Sequence, residues 1–187
     1  IETRSPIICA GDSKIVLPPK SFLQPTKSGE EILIELVLRN TEGAKHVLDL
    51  YCGIGPFTLA IAKQTTVFSF DNDAMAINAL TKAANNTLGL KPIKAEKRNL
   101  KVNPLLPYEL DMFDIIVLDP PRQGAFEQIK QILLSKVNNI IYVSCNPISF
   151  ARDASILIEG GFNLEPINPI DQFKFTSHVE LLALFKR

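Results

Sequence analysis

From His46 onward the chain alternates short apolar runs with stretches of helical spacing. "HVLDL" reads as a strand and leads into a helix through "PFTLAIAKQ". "TVFSF" is followed by a helix through "DAMAINALTKAANNT". A third strand near "PIKAEKR" runs into a proline-rich loop at 103–111. "FDIIVLD" then precedes a helix around "AFEQIKQILLSK". "NIIYVSC" precedes "PISFARDASILIEGG", where Gly160 and Gly161 make a helix stop. "FNLEPINPI" and "HVELLALFK" close the chain as two strands in a hairpin-like pair. Ahead of this series, Ser28–Asn40 carries apolar residues at helical spacing, with Glu30 and Glu31 in its first turn. Residues 1–20 are broken by Pro6, Pro18 and Pro19 and read as a strand or two at an edge.

Strand–helix alternation of this kind means a mostly parallel sheet covered on both faces. Ligands of such sheets bind beyond the carboxyl ends of the strands. That rule selects Asp49 to Pro56, Asp71, Asn99, Asp119 to Arg122 and Cys145 to Pro147 for chemistry.

A chain of 187 residues suits one domain that buries about 70% of its unfolded surface. Its apolar runs are too short to span a bilayer, and no signal peptide is visible at Ile1. Three cysteines with no close pair argue for a reducing, cytoplasmic setting. Lysine plus arginine equals aspartate plus glutamate at 20 each, so composition alone lends no support to a nucleic-acid partner.

"LDLYCGIGPF" places Gly53 and Gly55 in the turn after the first strand of the alternation, where the backbone can approach a ligand and the next helix offers free N–H groups. The third glycine of a dinucleotide fingerprint is missing, and Pro56 and Phe57 fill the space a pyrophosphate would need. Asp71 follows Asp49 by 22 residues, at a strand end where an acid accepts hydrogen bonds from ribose hydroxyls. These features favour a nucleoside ligand without a diphosphate. Asn99 and Asp119 end the third and fourth strands; a turn-forming Asn and a helix-capping Asp would account for them equally well. Two prolines stiffen the loop after Asp119 and remove its donors.

"LDLYCGIGPFTLAIA", "LDPPRQGA", "YVSCNP", "FARD" and "HVELLALFKR" together resemble the RNA 5-methyluridine methyltransferases, from about Phe22 to the C-terminus. "SCNP" followed 35 residues later by the Glu of "HVE" is specific to that family. The resemblance implies an α/β, class I S-adenosyl-L-methionine-dependent methyltransferase fold. This is Rossmann-like, with a mostly parallel seven-stranded sheet in order 3-2-1-4-5-7-6 and the last strand antiparallel. It implies Cys145 as nucleophile, Glu180 as general base, and cofactor contacts from Gln24, Tyr51, Pro56, Asp71, Asn99 and Asp119. Gly53 and Gly55 join that set from the turn geometry. The implied cofactor is S-adenosyl-L-methionine and the implied partner an rRNA or tRNA, with no metal, no membrane, no protein partner and a monomeric state. Residues 1–40 become an edge segment and helix leading into a catalytic domain at 41–187. The family's N-terminal RNA-binding barrel and, in some members, its iron–sulfur cysteines have no counterpart here, which points to a piece of a longer protein. "FLQPT" departs from the family's "FxQxN", with Thr26 in place of Asn, a change that bears on contacts nearby.

The residue types make chemical sense of that assignment. Carbon 5 of uracil is a poor nucleophile until a thiolate adds at carbon 6, and a base must later take the carbon 5 proton. Alternation along "HVELLALF" puts His178 and Glu180 on one face, His178 as an orienting residue. Arg122 is read either as a holder of RNA backbone or as an ion-pair partner, Asp171 as an organiser of the loop before Glu180, and Cys52 as a structural thiol. Two other functions fit parts of the pattern: an amino methyltransferase built on the Asp-Pro-Pro loop, and a nucleoside- or RNA-binding module without catalysis.

Overall fold

The computed structural model describes residues 5–172, 176 and 179–187. The central sheet contains β3 (His46–Leu50), β4 (Thr66–Asp71), β5 (Ile93–Lys97), β6 (Ile115–Leu118), β7 (Asn139–Ser144), β8 (Asn163–Leu164), β9 (Asn168–Ile170) and β10 (Glu180–Lys186). Its order is β5-β4-β3-β6-β7-β10-β8, with β9 also pairing β10. The first five strands run parallel and β10 runs antiparallel to β7. This is the 3-2-1-4-5-7-6 arrangement with its sixth position divided between β8 and β9. Pro166 lacks the N–H that a continuous strand would donate, so the ladder breaks between them.

Strands β3, β6 and β7 are apolar on both sides because helices cover both faces. Leu48, Leu50, Ile116, Leu118, Ile140 and Tyr142 pack under α5 (Phe126–Leu133) and α6 (Pro147–Glu159). Their alternates Val47, Val117, Ile141 and Val143 pack under α1 (Lys27–Thr41) and α2 (Pro56–Ile61), which supply Leu33, Val37, Phe57 and Ile61. A further helix on the sheet, α3 (Ala74–Asn85), follows β4. The proline-rich loop holds one helical turn, α4 (Pro107–Leu110), with Pro107 at its first position, where no N–H is needed.

The N-terminal segment departs from expectation. β1 (Ile7–Ala10) and β2 (Ser13–Val16) form a two-stranded sheet of their own instead of an edge of the main one. Ala10 and Ile15 are drawn into an apolar cluster with Cys52, Leu59, Ala76 and Leu80, so the hairpin rides over α2 and α3. No helix among the described residues is long and apolar enough to cross a membrane.

Candidate functional site

A cavity of about 520 Å³ opens beyond the carboxyl ends of β3, β4, β6 and β7. Its floor is the turn between β3 and α2. The N–H groups of Tyr51 and Cys52 both donate to Phe70 O, at 2.9 and 3.2 Å, which folds the chain back over β4. Tyr51 has φ +64°, a strained conformation for a residue with a side chain, and it lines the cavity. Gly53 and Gly55 also lie at positive φ but serve different ends. Gly53 lines the cavity with open space where a side chain would stand. Gly55 does not line it; a Cβ there would come within 2.3 Å of Leu80, so this glycine lets α3 pack on the turn. Helix α2 begins at Pro56, which has no N–H, so fewer free donors face the cavity than a bare helix start would offer.

Asp71 is held by two backbone donors, Gly53 N to Oδ2 at 2.9 Å and Asp73 N to Oδ1 at 2.8 Å. Each oxygen keeps a lone pair for a ligand hydroxyl. Beneath the turn, Asp49 is fully buried, accepts from Thr58 and leaves Oδ1 without a partner. Burial pushes its carboxyl up to about 7. Cys52 is a buried wall residue whose thiol is pushed well up by burial and by Asp49 and Asp71, as a structural thiol would be.

Opposite this floor stands the loop after β6. Asp119 lines the cavity, and burial together with Glu180, Asp49 and Asp71 raises its carboxyl well above the usual range. The loop is braced from α6. Asp153, fully buried, accepts from Ala125 N and from the Tyr142 hydroxyl, each at 2.7 Å, and from Arg152. Arg152 donates in turn to Gln123 O, and Asn146 to Arg122 O, each at 2.8 Å. Gly124, at φ +79°, passes so close that a Cβ would lie 2.5 Å from Asp153 Oδ2.

Cys145 follows β7 directly and is half-buried. Strands β7 and β10 are in register at Ser144 and Leu181, and one residue further this register sets Glu180 alongside Cys145. Glu180 is 2% exposed, and burial pushes its carboxyl up to about 7. Burial, then Glu180 and Asp119, raise the Cys145 thiol, while Arg122 acts to lower it.

Of the residues singled out in the sequence, Gln24, Tyr51, Gly53, Pro56, Asp71, Asp119, Cys145 and Glu180 line this one cavity. Asn99, after the edge strand β5, is exposed, accepts from Lys101 N at its Oδ1 and does not line the cavity. His178 lies outside the described residues. Thr26 is the N-cap of α1, accepting from Gly29 N at 3.1 Å. Sequence reasoning missed Glu30, Asp73 and Arg152, along with Gln172, which donates to Gln24 across 148 residues of sequence. Only "FARD" carried a signal for any of these.

Residues 14–187 match the model of the tRNA (uracil-5-)-methyltransferase family. The chain belongs to this family. It is 44% identical over 98% of its length to an uncharacterized RNA methyltransferase of Caulobacter vibrioides, covering 44% of that protein. It is 34% identical over 92% of its length to the 23S rRNA (uracil(1939)-C(5))-methyltransferase RlmD of Aeromonas hydrophila, covering 40% of it. Among solved structures, the Pyrococcus abyssi tRNA (uracil-54, C5)-methyltransferase in complex with S-adenosyl-L-homocysteine superposes with a TM-score of 0.83 at 30% identity. That superposition covers 98% of this chain and 44% of the other. The chain therefore spans less than half the length of these relatives, and its fold is that of the class I methyltransferases.

Proposed function

We propose that this domain methylates carbon 5 of a uridine in a ribosomal or transfer RNA, using S-adenosyl-L-methionine and a covalent bond from Cys145 to the base. The observation that carries the reading is the β7–β10 register, which runs Glu180 alongside Cys145 in a cavity that also holds Asp71 and Gly53.

The residues present suit the cofactor. Asp71 has lone pairs free for ribose hydroxyls, the space over Gly53 is open, and Tyr51, Ile54 and Ala76 make an apolar wall for a purine. Gln24, Pro56 and Asp119 complete the residues that would hold it. When bound, the cofactor supplies an electrophilic methyl group.

The rest is the work of the chain. Cys145 adds as thiolate to carbon 6, forming an S–C bond and moving an electron pair onto carbon 5 and its neighbouring carbonyl. Once carbon 5 carries the methyl group, Glu180 removes its proton. The electrons left behind restore the 5,6 double bond and expel the thiolate, so Cys145 is regenerated and one proton leaves through Glu180. A carboxyl held near 7 is suited to this task, being about half ionised at neutral pH yet basic enough to take a carbon-bound proton. The base must reach the cavity from an unpaired or flipped position.

The test incubates the protein, with whatever flanking chain it naturally carries, with S-adenosyl-L-methionine and ribosomal or transfer RNA containing 5-fluorouridine. Fluorine cannot leave as a proton, so protein and RNA are expected to remain joined, and intact mass measures the adduct. The adduct should require both the cofactor and Cys145. Absence of an adduct on an RNA that the protein demonstrably methylates overturns the covalent route and favours amino methylation through the Asp-Pro-Pro loop.

A further inference from the structure

The segment before β10 and the segment before α1 meet at two glutamine side chains. Gln172 is 3% exposed and donates from Nε2 to Gln24 Oε1 at 3.1 Å. Gln24 lines the cavity. Gln172 lies two residues beyond Ile170, the residue that pairs Glu180 across β9 and β10, so this contact belongs to the reacting end of the site.

The Gln172 amide is tightly confined. Gly29, in the first turn of α1, passes so close that a Cβ would sit 2.4 Å from Gln172 Cγ, Cδ and Oε1. Gly29 is held in turn by the Thr26 cap. Gln172 Oε1 is buried against this glycine with no hydrogen-bond partner among the described residues. A protein tolerates an unsatisfied buried oxygen only where something else fixes the group. Here the packing of α1 holds the group in place, and its Nε2 is the end that reaches Gln24. A Gln24 amide whose oxygen is occupied by a donor must turn its own NH2 the other way.

We propose that Gln172 is a positioning residue. It fixes the Gln24 carboxamide so that Gln24 offers the cavity two N–H donors and not a carbonyl, the polarity needed to hold the carboxylate at the amino-acid end of S-adenosyl-L-methionine or its product. This rests on the methyl-transfer reading above. It assigns to Gln172 a role that lies outside the cavity wall, and it explains why a glycine stands at the third position of α1.

The test measures two ligands on the RNA-free protein by titration calorimetry at pH 8, with thermal melts to verify folding. S-adenosyl-L-homocysteine carries the carboxylate; 5′-methylthioadenosine shares the nucleoside and sulfur but lacks the amino acid. Gln172→Glu has the same shape but only accepts, so Gln24 must donate to it and swing its carbonyl toward the ligand. S-adenosyl-L-homocysteine is expected to bind at least about tenfold more weakly, as for a hydrogen bond to a charged group turned repulsive, with methylthioadenosine unchanged. Gln172→Met, which frees Gln24 without reversing it, should fall between this variant and wild type, and carries the test if the Glu variant fails to fold. In a Gln24→Ala background Gln172→Glu should cause no further loss. Homocysteine-ligand affinity equal to wild type in both variants overturns the proposal, and so does a parallel loss of both ligands, which marks a merely structural role. A wild-type protein that binds neither ligand overturns the methyl-transfer reading itself, and this one with it.

Discussion

Glu180→Gln tests the centre of the site through stability as well as turnover. The Glu180 carboxyl rises from an ordinary 4.5 to about 7 because the fold buries it. At about 1.36 kcal/mol for each tenfold change in acidity, its ionised form is about 3 kcal/mol less favourable in the folded chain than in the unfolded one. Water in the cavity screens part of this, leaving about 2 kcal/mol. The sign follows from the raised value. Stability is greatest below 4.5, where Glu180 is protonated in both states, and it is lost as pH climbs toward and through 7, where the folded carboxyl must ionise. A glutamine keeps the shape and never ionises. The variant should therefore gain on wild type by about 2 kcal/mol between pH 4.5 and pH 8.

Urea unfolding at the two pH values, with equal slopes, reads this directly. Comparing variant with wild type at each pH cancels the contribution of Asp49, whose carboxyl is raised in the same way. A stability difference that stays constant from pH 4.5 to pH 8 would refute the reasoning, since it would mean that Glu180 ionises as easily folded as unfolded. The same variant should lose turnover and accumulate the Cys145–RNA adduct on ordinary uridine, because methyl transfer can proceed but the carbon 5 proton has no acceptor. A more stable protein that stalls in mid-reaction is the signature of a group kept for chemistry at the expense of the fold.

Three further outcomes follow from the geometry. Gly124→Ala places a Cβ on Asp153 Oδ2 at positive φ, and should lower stability by roughly 2–4 kcal/mol in urea titrations while loosening the loop that carries Asp119. Asp71→Ala removes the acceptor proposed for two ribose hydroxyls and frees the Gly53 turn; S-adenosyl-L-homocysteine should bind about a hundredfold more weakly by calorimetry, with Asp71→Asn in between. Arg122→Gln removes the charge that lowers the Cys145 thiol, so alkylation of Cys145 by iodoacetamide, followed on its own peptide to exclude the exposed Cys9, should slow at pH 8 and shift its midpoint to higher pH.

What could be read in advance follows the strand ends. Asp71, Asp119, Cys145 and Glu180 each stand at the end or start of an apolar run, and a parallel sheet gathers such positions at one edge whatever else the chain does. Asn99 obeyed the same local pattern, but it follows β5, the outermost strand, and is not among the residues that line the cavity. Gly55 looked like Gly53 and serves packing against Leu80, a distinction made by α3 and not by the turn. Gln172 and Gln24 are 148 residues apart, and Asp153 and Ala125 are 28 apart. Such contacts depend on which faces meet once the sheet is assembled, and no local spacing encodes them. "FNLEPINPI" read as a single strand, but Pro166 divides it into β8 and β9, a consequence that appears only when β10 lies beside it.

The charges around the cavity set a limit on how RNA can approach. Its lining includes the acids Glu30, Asp71, Asp73, Asp119 and Glu180 against the bases Lys20 and Arg122, although the chain as a whole is neutral. Where these acids are ionised they attract a cationic sulfonium or ammonium and repel phosphate. Burial raises the Cys145 thiol first, Glu180 and Asp119 add to that, and Arg122 acts against them. An RNA strand drawn into this space with its backbone would meet repulsion on several sides, whereas a single uncharged base would not. Under the proposed function the base therefore enters alone, with its phosphates kept outside the cavity. On that proposal, flipping is a requirement of the cavity's electrostatics as much as of the reach of Cys145 to carbon 6.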